Sequence, residues 1–315
     1  MNQLPEGIDV LVSEVGPRDG LQNAKGIMPT NDKLKWIAAE AAAGVREIEV
    51  GSFVPPKLIP GMADTGDVVK GALKVDGLTV MALVPNLRGA ESAFKAGVHK
   101  VTIPTSVSEP HSISNVRKNN AEMIEEVRKI CALRDSFPEE TRPSVETGLA
   151  TAFGCSIQGR VKESDVVRMA VAVVEAGVDE VGLADTVGYA NPNQVKRLFK
   201  AVRSAIGDKL GSAHLHNTMG LGLANALAAL EVDVRTFDSS LGGLGGCPFA
   251  PGASGNIVTE DLVFLLESMG MRTGIDFDKL IAVRDIIGQA LPDDELYGHL
   301  AGAGLPKGFV LPAAA

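Results

Sequence analysis

The run His214-Leu215-His216 is where the types and spacing of residues in this 315-residue chain first suggest chemistry. Side chains on an extended strand alternate between faces, so residues two apart point the same way and both imidazoles can reach one cation. Leu215 then faces the other side. An isolated His-x-His is more often a pair of hydrogen-bonded histidines near a strand end. Asp19, Glu49 and Asn256, at or just beyond other segments that end strands, shift that balance. Two imidazoles, a carboxylate and an amide oxygen leave two positions of an octahedron for water or substrate, which suits Mg²⁺ or Mn²⁺. The same donors suit a two-His-one-carboxylate iron site, and donor types alone do not separate the two.

Arg18 stands beside Asp19. As a surface ion pair it would be worth little. Beside a metal-bound carboxylate, a guanidinium can stabilise developing oxyanion charge, and losing one such donor typically costs roughly 10²–10³ in rate. The functional role is the stronger reading. Gly242-Gly243-Leu244-Gly245-Gly246-Cys247-Pro248 holds too much glycine for a packed element, and the theme continues to Gly255-Asn256. Such a segment can close over a ligand, with Cys247 as proton donor or acceptor; otherwise it is a flexible connection with an incidental thiol. Cys131, on a helix, and Cys155, beyond the fifth strand, read as structural by comparison, with Cys155 close enough to the mouth to stay a candidate. No Gly-Lys-Ser/Thr follows the glycines, so a Walker phosphate site is excluded.

These residues need a scaffold. Short β-branched runs alternate with helical stretches: Val10–Val15, Glu47–Val50, Leu78–Val84, Lys100–Pro104, Ser144–Ala150, Glu180–Ala184, Ser212–His216 and Thr236–Ser240 predict strands. Between them the periodicity predicts helices at Asp32–Ala43, Arg88–Ala96, Val116–Arg134, Asp165–Glu175, Pro192–Ile206, Leu221–Leu230 and Thr259–Met269, with a weaker one in Met62–Leu73. Ala-Gly-Val recurs at 43–45, 96–98 and 176–178, each time as a helix stop before a strand. Eight β-α units close a barrel more naturally than they extend an open sheet, and no dinucleotide glycine fingerprint opens the first helix. The expected fold is an α/β (β/α)8 TIM barrel over residues 1–271, with a less regular C-terminal extension, 272–315, packed on it or frayed. In such a barrel the chemistry sits at the C-terminal strand ends, where the polar residues named above fall.

Composition narrows the partners. Thirty Lys plus Arg against 39 Asp plus Glu give a net charge of −9, which argues against a nucleic-acid surface and requires any anionic substrate to find a locally basic pocket. Three scattered cysteines are too few for a disulfide framework or a zinc ribbon and point to a reducing compartment, taken as the cytoplasm. No secretory leader and no run of 18 uncharged apolar residues is present, so no membrane partner is expected.

Taken in order, Val15-Gly16-Pro17-Arg18-Asp19-Gly20-Leu21-Gln22-Asn23, Glu49 with Ser52-Phe53, His214/His216 and Gly242–Pro248 followed by Gly255-Asn256 resemble the hydroxymethylglutaryl-CoA lyase family, a branch of the metal-dependent TIM-barrel lyases and condensing enzymes. The resemblance runs on to Gly298-His299 and Gly304–Phe309. It implies a retro-Claisen cleavage of a 3-hydroxy-3-substituted glutaryl-CoA to acetyl-CoA and a keto acid such as acetoacetate. It implies a divalent cation, Mg²⁺ or Mn²⁺, held by Asp19, His214, His216 and Asn256, with Arg18 steadying the thioester enolate and Cys247 protonating it. Glu49 and Asp185 would orient ligands and Arg18 from behind, and Glu14 and Gln22 would help shape the pocket. Apart from the resemblance, the position of Lys25 near the mouth suggests it for the CoA. A homo-oligomer, dimer or tetramer, is implied as well. Three positions depart from the family pattern: Asn217 stands where lyases carry Asp, Gly154-Cys155-Ser156-Ile157 replaces a Cys-Pro-Tyr-like segment, and Gly182 replaces a Ser. The last two suggest freed volume and a bulkier acyl-CoA. Two rival activities remain: a synthase condensing acetyl-CoA with 2-keto acids, and a non-catalytic acyl-CoA- or metal-binding barrel.

Overall fold

A computed structural model describes residues 4–245 and 255–311. Eight parallel strands close on themselves: β1 (Leu11–Glu14), β2 (Glu47–Ser52), β3 (Thr79–Leu83), β4 (Lys100–Ser106), β5 (Ser144–Ala150), β6 (Glu180–Asp185), β7 (Leu210–Leu215) and β8 (Thr236–Ser239), with β8 pairing back onto β1. Helices between them form the outer layer, as the β-α alternation predicts for a TIM barrel. Alternate strand residues, among them Ile48, Val80, Val101, Val145, Val181, Ala213 and Phe237, form one buried apolar layer with helix residues such as Trp36, Val127 and Leu198. The three Ala-Gly-Val repeats work as expected: Gly44, Gly97 and Gly177 all have positive φ (111°, 89° and 108°) and turn a helix directly into the next strand.

Other expectations are corrected. The helix expected over Val116–Arg134 is two helices, Glu109–Val116 and Asn120–Asp135. Arg117 is left-handed between them (φ 58°), and Asn119 with Glu122 closes a reciprocal cap that starts the second helix afresh. The C-terminal extension is more regular than expected. Asp276 caps a 14-residue helix, Phe277–Ala290, which buries Phe277, Leu280, Val283 and Ile287 and packs against the helix Thr30–Ala43. Beyond it Phe309 lies edge-on to Phe277, ring centroids 5.8 Å apart, so this part of the extension is folded onto the barrel.

Inside the barrel, the N-terminal end is polar where branched aliphatics are usual. Lys100, the first residue of β4, is 2.6 Å from Glu146 and 3.6 Å from both Glu47 and Glu180. Ser212 donates to Glu146 at 2.6 Å. Glu47 and Glu180 open β2 and β6, so this cluster occupies the end of the barrel opposite the C-terminal strand ends. Among the described residues no helix is long and apolar enough to cross a membrane.

Candidate metal centre

His214 projects from the end of β7, and His216 lies one residue beyond the strand, not within it as expected. Their Nε2 atoms are 3.1 Å apart, and each lies 3.8 Å from Asp19 Oδ2. The three ligand-type atoms fall within 4.8 Å of one another. Asp19 arrives from a single wide helical turn, Gly16–Gly20, that follows β1 and is buried throughout. Asn256 arrives from a segment laid antiparallel to the end of β7. His216 and Asn256 form a backbone bridge, flanked by the bonds Asn217 N–H to Gly255 O and Ile257 N–H to Leu215 O. Asn256 Nδ2 donates to Asp19 Oδ2 at 2.6 Å, while its Oδ1 is buried with no partner.

The electrostatics favour a cation. Burial would raise the Asp19 carboxyl, but the Arg18 guanidinium, both imidazoles and the Asn256 bond hold it well below the usual carboxylate range. Burial and the neighbouring His214 push His216 down to about 3, so it is neutral near pH 7. Burial also works against the charged form of His214, but the Asp238 hydrogen bond and charge, with Asp19, raise it overall. Two imidazole nitrogens turned toward one carboxylate oxygen, beside an orphaned amide oxygen, form a donor set that a divalent cation would satisfy. Asp19, His214 and His216 thus form a candidate metal-binding triad.

Arg18 completes the cluster. Its Nε donates to Glu49 Oε2 at 2.5 Å and its Nη1 to Asp19 Oδ1, and no described residue accepts from Nη2. Glu49 is the third of six residues of β2, not its end as expected. Burial pushes Glu49 up to about 7 against the pull of the Arg18 charge and hydrogen bond. One edge of a fixed guanidinium is thus available beside the metal triad.

Asp238 was not singled out from the sequence. It sits opposite His214 across the β7–β8 ladder, its Oδ2 3.0 Å from His214 Nδ1. That contact turns Nε2 toward Asp19, the usual way a carboxylate fixes the tautomer of a metal-binding imidazole. The available signal was a charged residue at an interior strand position in Thr236-Phe237-Asp238-Ser239. Asp238→Asn is expected to weaken Mn²⁺ affinity by about 10–100-fold, with activity regained at high Mn²⁺. A metal titration of the variant checks this, and wild-type affinity would remove Asp238 from the account.

Four expected roles change. Asp185 does not touch Arg18; its carboxylate accepts the Tyr189 and Ala190 N–H groups at 2.9 and 3.1 Å and so shapes the loop after β6, with burial raising it to about 6. Glu14 shapes no pocket, because it is wholly buried and bonded to Gly16, Leu241 and Thr259. Gln22 is exposed with no bond to the cluster among the described residues. The volume expected to be free at Gly182 is taken, since a Cβ there would lie 2.3 Å from the Ser212 hydroxyl. Lys25 is exposed and bonds Asp293 O at 3.0 Å, with its backbone N–H on Asp294. Cys247 lies outside the described residues. Asn217 behaves as expected and turns from the metal ligands, accepting the Gly222 N–H at 2.9 Å. Cys155 is structural: its Sγ accepts the Ile157 and Gln158 N–H groups, both at 3.3 Å, and leaves Ile157 exposed. Cys131 is structural as well, its thiol pushed up to about 11 by burial.

Residues 9–287 match the HMGL-like family. The chain belongs to that family. Among its members, the hydroxymethylglutaryl-CoA lyase of Bacillus subtilis is 38% identical over 297 residues, covering 93% of this chain and 98% of that protein. The mitochondrial hydroxymethylglutaryl-CoA lyase of Mus musculus is 40% identical over 291 residues, covering 92% and 88%. An HMG-CoA lyase from Acinetobacter baumannii, solved in complex with coenzyme A and 3-methylmalate, superposes with a TM-score of 0.88 at 38% identity, covering 98% of this chain and 99% of that one. The carboxyl transferase domain of Rhizobium etli pyruvate carboxylase, at 17% identity and a TM-score of 0.69, shares the fold alone. An HMGL-like barrel agrees with the eight-stranded architecture and with the polar cluster at its C-terminal mouth.

Proposed function

We propose that this chain is a carbon–carbon lyase that cleaves 3-hydroxy-3-methylglutaryl-CoA, or a close 3-hydroxyacyl-CoA analogue, to acetyl-CoA and acetoacetate or the corresponding keto acid. The observation that carries this reading is the convergence of Asp19, His214 and His216 with Arg18 bonded to the same Asp19 carboxylate. Asp19, His214, His216 and, through Oδ1, Asn256 would hold Mg²⁺ or Mn²⁺. A cation bound there supplies a Lewis acid for the substrate's hydroxyl and carboxylate oxygens.

The chain's own groups do the rest. The substrate's 3-hydroxyl gives its proton to solvent and becomes the ketone carbonyl as the C–C bond parts, the bond's electron pair moves onto the thioester enolate carbon and oxygen, and the Nη2 edge of Arg18 would receive that charge. Glu49 holds the guanidinium plane from behind. Asp238 and Asn256 keep His214 and Asp19 in register. Cys247 is assigned the proton that converts the enolate to acetyl-CoA, in line with the family resemblance. Lys25, exposed near this end of the chain's first turn, is assigned a CoA contact. The barrel through Met271 is the catalytic unit with 272–315 as its extension, and we place the protein in the cytoplasm as a homo-oligomer.

Metal-loaded protein given 3-hydroxy-3-methylglutaryl-CoA, its longer 3-alkyl analogues and citramalyl-CoA is expected to release acetyl-CoA and one keto acid, identified by mass. Condensation of acetyl-CoA with 2-keto acids, with no cleavage of any of these thioesters, would transfer the assignment to a synthase.

A further inference from the structure

A TIM barrel ordinarily fills its interior with layers of branched aliphatic side chains. One side of this barrel does not. Lys100 meets Glu47, Glu146 and Glu180 across the interior, so the strand residues that alternate with the outward Val101, Val145 and Val181 face inward. Above that polar layer the inward positions of β5 and β6 are Gly148, Ala150, Gly182 and Ala184, none larger than alanine. Thr102 and Pro104 of β4 continue this wall, and it carries no charge. Thr102, Pro104, Gly148 and Ala150 are all part-exposed, while their outward neighbours Val101, Ile103 and Leu149 are wholly buried. Their exposure therefore comes from inside the barrel. Gly182 is closed off, its Cβ position lying 2.3 Å from the Ser212 hydroxyl, but a Cβ at Gly148 would meet a single atom, Thr102 Cγ2, at 4.0 Å. The room that the sequence suggests at Gly182 lies instead at Gly148.

We infer that this cavity takes the substrate's 3-substituent, and that the substrate class is a 3-hydroxyglutaryl thioester whose 3-substituent is an alkyl chain longer than methyl. The inference rests on the lyase reading given above and names its substrate. The cavity opens beside the metal triad: His214 is itself part-exposed and pairs with Ala184 across β6 and β7. Gly148 pairs with Gly182 across β5 and β6, so it lies two strands, about 10 Å, from His214 and one inward residue deeper. A substrate hydroxyl placed among Asp19, His214 and His216 brings its own carbon to the edge of this space, and that carbon also bears the 3-substituent. The polar groups Asp19, Arg18, Glu49 and both histidines come from β1, β2 and β7, which leaves the uncharged wall of β4–β6 for an apolar branch. The CoA arm does not suit the same place. Lys100 and its carboxylates close the floor, and that lysine is already engaged by three acids and has no charge to offer a phosphate. A methyl group stops short of Gly148, whereas each further methylene buried there strengthens binding about fourfold.

The test gives Mn²⁺-loaded wild type, Gly148→Ala and Gly148→Leu two thioesters, 3-hydroxy-3-methylglutaryl-CoA and 3-hydroxy-3-butylglutaryl-CoA, which release acetoacetate and 3-oxoheptanoate beside acetyl-CoA. Wild type is expected to favour the butyl substrate by about 10–50-fold in kcat/KM, from three more buried methylenes. Gly148 lies within β5 and has no positive φ, so a side chain is accepted there without backbone strain. Gly148→Leu fills the cavity and should lose about tenfold or more on the butyl substrate while keeping the methyl substrate within about threefold, with Gly148→Ala between. A merely structural role would lower both substrates together. Calorimetry with the free diacids 3-hydroxy-3-methylglutarate and 3-hydroxy-3-butylglutarate reads the cavity without turnover: wild type should bind the butyl acid about tenfold more tightly, and Gly148→Leu should bind the two alike. A wild type that cleaves the methyl thioester as well as the butyl one and binds both diacids equally would overturn the inference and leave the lyase reading. A wild type that cleaves neither thioester but prefers the butyl diacid would refute the lyase reading and leave the cavity. An unchanged butyl preference in folded Gly148→Leu would also overturn the inference, and the wild-type comparison decides it even if that variant fails to fold.

Discussion

Arg18→Gln is expected to lower kcat by about 10²–10³ while the protein still binds its metal. The guanidinium is not a ligand. It donates Nε to Glu49 and Nη1 to Asp19 and keeps Nη2 for charge that appears only as the bond breaks, so its loss falls on the transition state more than on substrate binding. KM should change by less than about threefold. Removing one member of a buried ion pair ordinarily costs about 3–5 kcal/mol, because the other charge is stranded. Here the cost should be smaller, since Glu49 sits at about 7 even with Arg18 present and takes up a proton once the guanidinium is gone. Steady-state kinetics with Mn²⁺ titration of the same preparation check both halves. A variant that loses metal in step with activity would show that Arg18 supports the triad and has no separate part in the reaction.

The second large effect is expected from His216→Ala. A neutral imidazole with one nitrogen turned to His214 and the other unpartnered gives the metal-free protein little to lose, so thermal stability without metal should be nearly unchanged. With metal the two proteins should part. A ligand present at a hundred times its Kd stabilises the folded state by about 2.7 kcal/mol, and this increment should vanish in the variant. Cleavage should fall by roughly 10³ or more, since the Lewis acid is worth several kcal/mol at the transition state and each 1.36 kcal/mol is tenfold. Melting curves with and without Mn²⁺ decide it. An undiminished Mn²⁺ increment in His216→Ala would place the cation elsewhere.

Much of this architecture is legible in the chain because its signals are local. The β-α alternation and the Ala-Gly-Val stops report single helix ends and strand starts, and closure follows once eight units are present. His214 and His216 are legible because residues two apart on extended backbone share a face, although His216 falls one residue past the end of β7. Asp238 escapes the sequence because its meaning comes from the residue across the ladder, and a register between neighbouring strands is not written in either strand. Glu14 misleads for a related reason: its position at the end of β1 suggests the mouth, but the three donors that claim it come from residues 16, 241 and 259. Lys100 and its three carboxylates are hidden likewise, each appearing as an ordinary charge at the start or edge of a strand. The helix Phe277–Ala290 is different. Its apolar spacing, 277, 280, 283 and 287, was there to be seen behind the Asp276 cap.

The central claim is a cation seated among Asp19, His214 and His216. Crystals of the wild-type protein grown with Mn²⁺ and measured at the manganese absorption edge test it most directly. The expected result is one strong anomalous peak about 2.0–2.3 Å from Asp19 Oδ2 and from both Nε2 atoms, with the Asn256 amide oxygen facing it. A strong peak away from these three residues, or none at a manganese concentration that supports turnover, would contradict the account.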